Sequence, residues 1–325
     1  MAKDSRNYQS INGMTLQQFE YLLAICEHGN MLRASKKLGV TQPTLSIMLR
    51  KLEAELDIDI FDRSTQPLRL TEAGKQVVKQ AKDILKAAET LRQTVAEQRN
   101  LLTGRLKIGV IPTVAPYFVP RFLQHFLDNP RHTDLETSLS EMKTEDIIPA
   151  LLENEIDMAV MATPLDQERL LEIPIYYEKF HAYVSEKTPS LHQKPRITPQ
   201  DLVSERLWVL SEGHCLRNQV MNYLCFGEQN TERTYQGGSF TTLIKTIDAV
   251  GGCSIVPESL SDDLNERQRN NIRPLCEPEA TREISLVVKD DFAREKLLNE
   301  IVETIKQFVP SHMIDERLKR FRVRL

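Results

Sequence analysis

Residues 34 to 46 read Ala34-Ser35-Lys36-Lys37-Leu38-Gly39-Val40-Thr41-Gln42-Pro43-Thr44-Leu45-Ser46, and their punctuation decides the fold of the N-terminal part of the chain. Gly39 closes a short helix carried by Met31, Ala34 and Leu38, because a residue without a Cβ accepts the turn that ends it. Thr41 then offers a hydroxyl cap to the next helix. Pro43 sits in that helix's first turn, where its missing N–H costs nothing. Leu45, Met48, Leu49, Leu52 and Leu56 form its buried stripe. Upstream, Leu16, Phe19, Leu22, Leu23 and Cys26 recur at helical spacing until Gly29. Helix, helix, tight turn, helix is the helix-turn-helix pattern. The outward residues Gln42, Thr44, Ser46 and Arg50 are types that bond base edges and phosphates.

Charge agrees locally, though not in sum. The chain has 42 basic and 46 acidic residues, a net charge of −4, which alone argues against a nucleic-acid binder. Between Met31 and Leu52, however, there is no Asp or Glu, while Arg33, Lys36, Lys37, Arg50 and Lys51 all fall there. Such a patch is the footprint that phosphate binding needs. Next, Phe61 to Leu70 reads as two short extended pieces around a polar turn, a wing carrying Arg63 and Arg69. Thr71-Glu72-Ala73-Gly74 starts a long helix in which Val77, Ala81, Ile84, Ala88, Leu91, Val95, Gln98 and Leu102 alternate four and three apart. That heptad seam predicts burial against a partner helix.

From Arg105 the pattern changes to strands alternating with helices. Leu106–Ile111, Asp157–Met161, Ala182–Val184, Leu207–Leu210 and Cys253–Val256 read as strands. Pro116–Leu127, Glu145–Asn154, Leu216–Cys225 and Thr241–Val250 read as helices. The fold class is α/β with parallel strands. No apolar run nears the roughly 20 residues of a membrane span. The start, Met1 to Arg6, lacks the apolar core of a signal peptide, and a cytoplasmic location is the expectation. The five cysteines, Cys26, Cys215, Cys225, Cys253 and Cys276, are odd in number and lack zinc spacing. They predict a reactive thiol rather than a disulfide framework or a metal site, and no cofactor is expected.

The residues quoted from Ala34 to Ser46, with Arg50-Lys51-Leu52-Glu53, Leu56, Phe61, Arg63 and Leu70-Thr71-Glu72-Ala73-Gly74, resemble the signature of LysR-type transcriptional regulators. The resemblance implies a winged helix-turn-helix, a dimerising linker helix and a two-lobed α/β effector domain like the periplasmic binding proteins. It divides the chain into a disordered extension at 1–13, a DNA-binding domain at 14–72, a linker helix at 73–103, an effector domain at 104–310 and a tail at 311–325. The effector lobes fall at 104–178 with 277–310, and at 179–276. Implied partners are double-stranded promoter DNA, RNA polymerase and further copies in a homodimer or homotetramer. Gln42, Pro43, Thr44, Ser46 and Arg50 are assigned to the recognition helix, and Arg33, Ser35, Arg63 and Arg69 to phosphates or the wing.

One further stretch, Ser211-Glu212-Gly213-His214-Cys215-Leu216-Arg217-Asn218-Gln219-Val220-Met221 with Cys225-Phe226, is similar to the redox loop of the peroxide-responsive branch of that family. Position by position, Cys215 matches the thiol that hydrogen peroxide attacks and Cys225 the thiol that resolves it. Thr113, Thr144, His214 and Arg217 match the peroxide pocket, and thioredoxin or glutaredoxin the reductant. The residues support this independently, since peroxide attack needs a thiolate. Cys215 has His214 and Arg217 close by and opens a helix, whose free N–H groups favour an anion. A sulfenic acid is reversible when a second thiol traps it. A helix from Cys215 to Cys225 holds the two about 15 Å apart, against the roughly 7 Å a disulfide allows between Cα atoms, so oxidation requires the helix to unravel. The main alternative is a regulator that takes a small metabolite between its lobes, with Thr113 and Ser211 binding a carboxylate. A thiol peroxidase or a purely architectural DNA-binding protein fits less of the chain.

Overall fold

The computed structural model describes residues 13–65, 67–99, 101–211, 213–224, 236–277 and 280–314. Expectations for the extension at 1–12, for Cys225 and for the tail at 315–325 lie outside these residues. The chain separates into two compact units, Met1–Val95 and Ala96–Leu325.

The first unit holds α1 (Leu16–His28), α2 (Met31–Leu38), α3 (Gln42–Leu56), the short strands β1 (Phe61–Asp62) and β2 (Arg69–Leu70), and most of α4 (Glu72–Gln98). Thr15 and Gln18 close α1 with a reciprocal capping box, and Gly39 leaves α2 at a φ of 67°, the left-handed turn that favours glycine. Leu22, Ile25, Ala34, Leu45, Leu52 and Ile60 are fully buried at the centre, and Ala81 of α4 joins them. The strands pair antiparallel as a wing, Phe61 opposite Leu70.

Helix α4 divides the predicted seam. Val77 and Ala81 pack into the first unit's core, while Ile84, Leu91 and Val95 stay exposed along the helix. The helix stops at Gln98, so Leu102 is not a seam residue: it is buried, 4% exposed, in the core of the second unit. Its apolar side chain satisfied the heptad arithmetic but belongs to the next domain.

The second unit continues with β3 (Gly104–Val110), α5 (Ala115–Leu127), β4 (Leu135–Glu141), α6 (Thr144–Leu152), β5 (Met158–Thr163), β6 (Leu170–Val184), α7 (Pro189–His192), α8 (Pro199–Val203), β7 (Val209–Leu210), α9 (Cys215–Tyr223), β8 (Gln236–Gly237), α10 (Phe240–Val250), β9 (Cys253–Pro257), α11 (Glu266–Arg269), β10 (Ile272–Pro274), β11 (Thr281–Lys289) and α12 (Glu295–Lys306). The main sheet runs β10-β6-β11-β5-β3-β4, with β9 also on β6. It is mixed rather than parallel. β3 pairs parallel with β4 and β5, but β11 lies antiparallel between β5 and β6.

Strand β6 makes the unit two-lobed. Leu170–Lys179 pairs with β11, and Phe180–Val184 with β9 and β10. Two apolar cores result. One gathers β3, β5, α5, α6, β11 and α12 around Phe122, Phe126 and Leu286; the other gathers α8, α9, α10 and β9 around Tyr183, Leu243 and Ile247. Among the described residues no helix is long and apolar enough to cross a membrane.

Candidate functional site

The outward face of α3 is as its spacing predicts. Gln42, Pro43, Thr44 and Arg50 are exposed and Ser46 is half-buried. Thr41 accepts the Thr44 amide at 3.3 Å, and the two hydroxyls share a hydrogen bond of 2.8 Å. On the wing, Arg69 is exposed. Arg63 donates to Glu53 Oε2 at 2.6 Å, while Glu53 Oε1 accepts the Ile60 amide, so Arg63 fastens the wing to α3 as well as facing outward. Arg33 is exposed. Ser35 corrects the reading made from sequence. It is 2% exposed and donates to the Leu32 carbonyl at 3.0 Å, so helical geometry turns its hydroxyl inward and away from any phosphate.

In the second unit the residues of the redox stretch converge where the two cores meet. Cys215 is the first residue of α9 and packs into the first core, whereas Leu216 and Val220 of the same helix pack into the second. The preceding His214 occupies the cap position but makes no capping hydrogen bond. Gly213, at a φ of 86°, brings the loop against α6, where a Cβ would meet the side chains of Glu145 and Lys143. Thr144, the first residue of α6, aims its hydroxyl at the thiol. The Thr144 Oγ1 and His214 Nδ1 atoms are buried and make no hydrogen bond of ordinary geometry to any described residue.

The electrostatics differ from the sequence expectation. Burial pushes the Cys215 thiol above its ordinary pKa. Arg282, then the Thr144 hydroxyl and the amides of Leu216 and Cys215, pull it back without cancelling that rise. Burial lowers the His214 pKa, and Lys143 lowers it further. Arg217 is buried on α9, 8% exposed. The group that supplies positive charge is Arg282, which sequence reasoning missed. It is fully buried and donates to Glu178 Oε2 at 2.6 Å, to Thr113 Oγ1 at 3.0 Å and to the Thr113 carbonyl at 3.1 Å. Burial alone would lower its pKa; Glu178 and the thiol raise it. Thr113, 2% exposed just beyond the end of β3, therefore anchors Arg282.

The available signal was a charged pair, Arg282-Glu283, inside a strand otherwise apolar enough to be buried on both faces. Helix α9 ends at Tyr223, two residues short of Cys225, with Leu224 closing it in the second core. Eight helical steps of about 1.5 Å already separate Cys215 and Tyr223 by about 12 Å.

Two family models match the chain. One is the bacterial regulatory helix-turn-helix protein, lysR family, over residues 16–75; the other is the LysR substrate binding domain, over residues 99–310. The hydrogen peroxide-inducible genes activator of Haemophilus influenzae is 34% identical over 279 residues, 85% of this chain and 91% of that protein. The DNA-binding transcriptional dual regulator OxyR of Escherichia coli is 30% identical over 310 residues, 94% of this chain and 99% of that protein. Among solved structures, a full-length OxyR variant from Pseudomonas aeruginosa aligns with a TM-score of 0.71 at 28% identity, covering 90% of this chain and 95% of that one.

Proposed function

The chain belongs to the LysR family of helix-turn-helix regulators, and on that premise we propose that it senses hydrogen peroxide through Cys215 and answers at promoter DNA. It is a DNA-binding transcriptional regulator resembling OxyR, and not an enzyme. The observation that carries the sensing reading is the placement of Cys215. The thiol opens α9 at the junction of two cores, within reach of the Arg282 charge and of the Thr144 hydroxyl, and beside the buried His214 Nδ1, which makes no hydrogen bond among the described residues. A small, polar, uncharged molecule with two donors and several lone pairs matches those atoms. The relatives' names, hydrogen peroxide-inducible genes activator, point the same way.

The chemistry balances within the chain. The Cys215 sulfur attacks one peroxide oxygen and the O–O bond breaks. The departing oxygen leaves as water with the thiol proton, and Cys215 becomes a sulfenic acid. The Cys225 thiol then attacks that sulfur; the S–O bond breaks, a second water leaves, and a disulfide remains. Two electrons, one from each thiol, have reduced one peroxide. Thr113, through Arg282, and Thr144, His214 and Arg217 form the pocket. Joining the two sulfurs requires α9 to give up helix, and that refolding is the signal. Thioredoxin or glutaredoxin reverses it by thiol exchange.

On the DNA side, Gln42, Pro43, Thr44, Ser46 and Arg50 enter the major groove, with Arg33, Arg63 and Arg69 on the flanking backbone. The exposed Ile84, Leu91 and Val95 pair with a second copy, two pairs make the tetramer, and the assembly acts on RNA polymerase in the cytoplasm.

The test treats reduced protein with stoichiometric hydrogen peroxide, blocks free thiols and maps disulfides by peptide mass spectrometry. A Cys215–Cys225 bond that thioredoxin reverses is expected. Unmodified Cys215 after excess peroxide overturns the sensing reading and leaves the LysR-family assignment intact.

A further inference from the structure

A cavity of about 130 Å³ lies in the second unit, away from the thiol. A single water needs only about 10–15 Å³ of such space, so the cavity has room for a small organic molecule. Tyr117, Phe118, Tyr176, Phe308, Met313 and Glu258 are among the residues that line it. Glu258 Oε1 accepts from His312 Nε2 at 2.9 Å, but Glu258 Oε2 is buried and has no hydrogen-bond partner among the described residues. A buried carboxylate oxygen without a donor is costly. Of the other charged groups there, Arg121 pairs with Asp262 at 2.8 Å, and His312 is spent on the first oxygen of Glu258. Aromatic residues around a carboxylate with one oxygen still unsatisfied favour a cation on an apolar body, which the rings attract and Glu258 Oε2 anchors.

We propose that this cavity is a binding site for a small organic cation, a primary amine on an aromatic or aliphatic body, and that its occupancy is felt at Cys215. The path is continuous. Ser259 lines the cavity and donates its amide to Glu178 Oε1 at 3.1 Å, and its hydroxyl also bonds that carboxylate. The other oxygen of Glu178 holds Arg282, whose charge acts on the thiol. A bound cation adds positive charge on this side of the thiol and favours the thiolate. Only the regulatory meaning of that effect rests on the peroxide reading; binding and thiol reactivity do not.

The experiment uses reduced full-length protein and benzylamine as probe, with benzyl alcohol and benzoate as matched neutral and anionic bodies, in isothermal titration calorimetry. Benzylamine should bind at least tenfold more tightly than benzyl alcohol, and Glu258→Gln should abolish the difference. In protein carrying ¹³C-methyl methionine, the Met313 resonance, assigned with Met313→Leu, should shift on adding benzylamine, a readout that needs no folded Glu258 variant. Equal affinity for amine and alcohol, or an unmoved Met313 signal at saturating amine, overturns the site. Saturating benzylamine should also speed iodoacetamide alkylation of Cys215 at least threefold, followed by peptide mass spectrometry; an unchanged rate overturns the link to the thiol. If peroxide fails to oxidise Cys215 while these results hold, the function proposal falls and the cation site stands.

Discussion

Helix α3 starts on Thr41, whose hydroxyl takes the Thr44 amide, with proline in the first turn and polar residues facing solvent. Helix α9 starts on His214, which caps nothing, and its first residue is a thiol buried between two cores. The first start is closed internally and open to an external partner. The second is left chemically incomplete inside the protein. A helix end satisfied by its own side chain stays put and can serve as a fixed reading head. One whose amides face a reactive group is held by its surroundings, and a change of bonding at that group can release it.

The largest effect that tests this contrast is at Arg282. Arg282→Met leaves Glu178 charged, buried and short of its main partner, and should cost about 3–5 kcal/mol of stability in thermal or denaturant melting. It also removes the charge that pulls the thiol pKa down. Arg282→Met combined with Glu178→Leu should recover much of the stability while Cys215 stays slower to react. If the double variant reacts as fast as the parent, the buried charge does not tune the thiol, and the contrast between the two helix starts loses its chemical half.

The next effect belongs to α3. Arg50→Ala should weaken promoter binding by about 1–3 kcal/mol if it reads a base, or lower the salt slope by about one if it holds a phosphate, measured by titration at several salt concentrations. Thiol oxidation should be unaltered. Unchanged affinity together with an unchanged slope would mean that α3 is not the reading head.

The smallest and most diagnostic effect is in pH. The Cys215 pKa is raised, so at neutral pH the thiolate is a minor species. Its peroxide rate should climb about tenfold per pH unit while the pH remains below the pKa, with no plateau short of the ordinary thiol value. Stopped-flow rates that level off below pH 7 would show that the site favours the anion more than burial opposes it.

The two helix starts were both readable in sequence because each is written in consecutive residues: Thr41 and Pro43 for one, His214 and Cys215 for the other. The chemistry around the second was not. Glu178 meets Arg282 across 104 positions and Arg282 meets Thr113 across 169, so no local pattern joins them. Adjacency in sequence put His214 and Arg217 beside the thiol, whereas folding supplied the charge of a distant arginine and burial lowered the pKa of the histidine. Strand β4 escaped notice because it lies at the sheet edge and is largely polar, and β6 was read only at its end, Ala182–Val184, because Glu172, Pro174 and Glu178 interrupt its apolar run. Leu102 failed in the opposite sense: periodicity extended a helix past its end.

Strand β6 carries a consequence for how the effector unit comes apart. Its 15 residues are shared by both cores, with no break at the border between Lys179 and Phe180. Neither lobe can melt alone without stripping half of that strand's ladder from the other, so both should unfold as one cooperative block, and the β6 amides should exchange hydrogen only through global opening. Helix α9, nine residues long, lies outside that ladder and can open without breaking it. The fold thereby confines a large rearrangement to one helix and spares the frame that holds it.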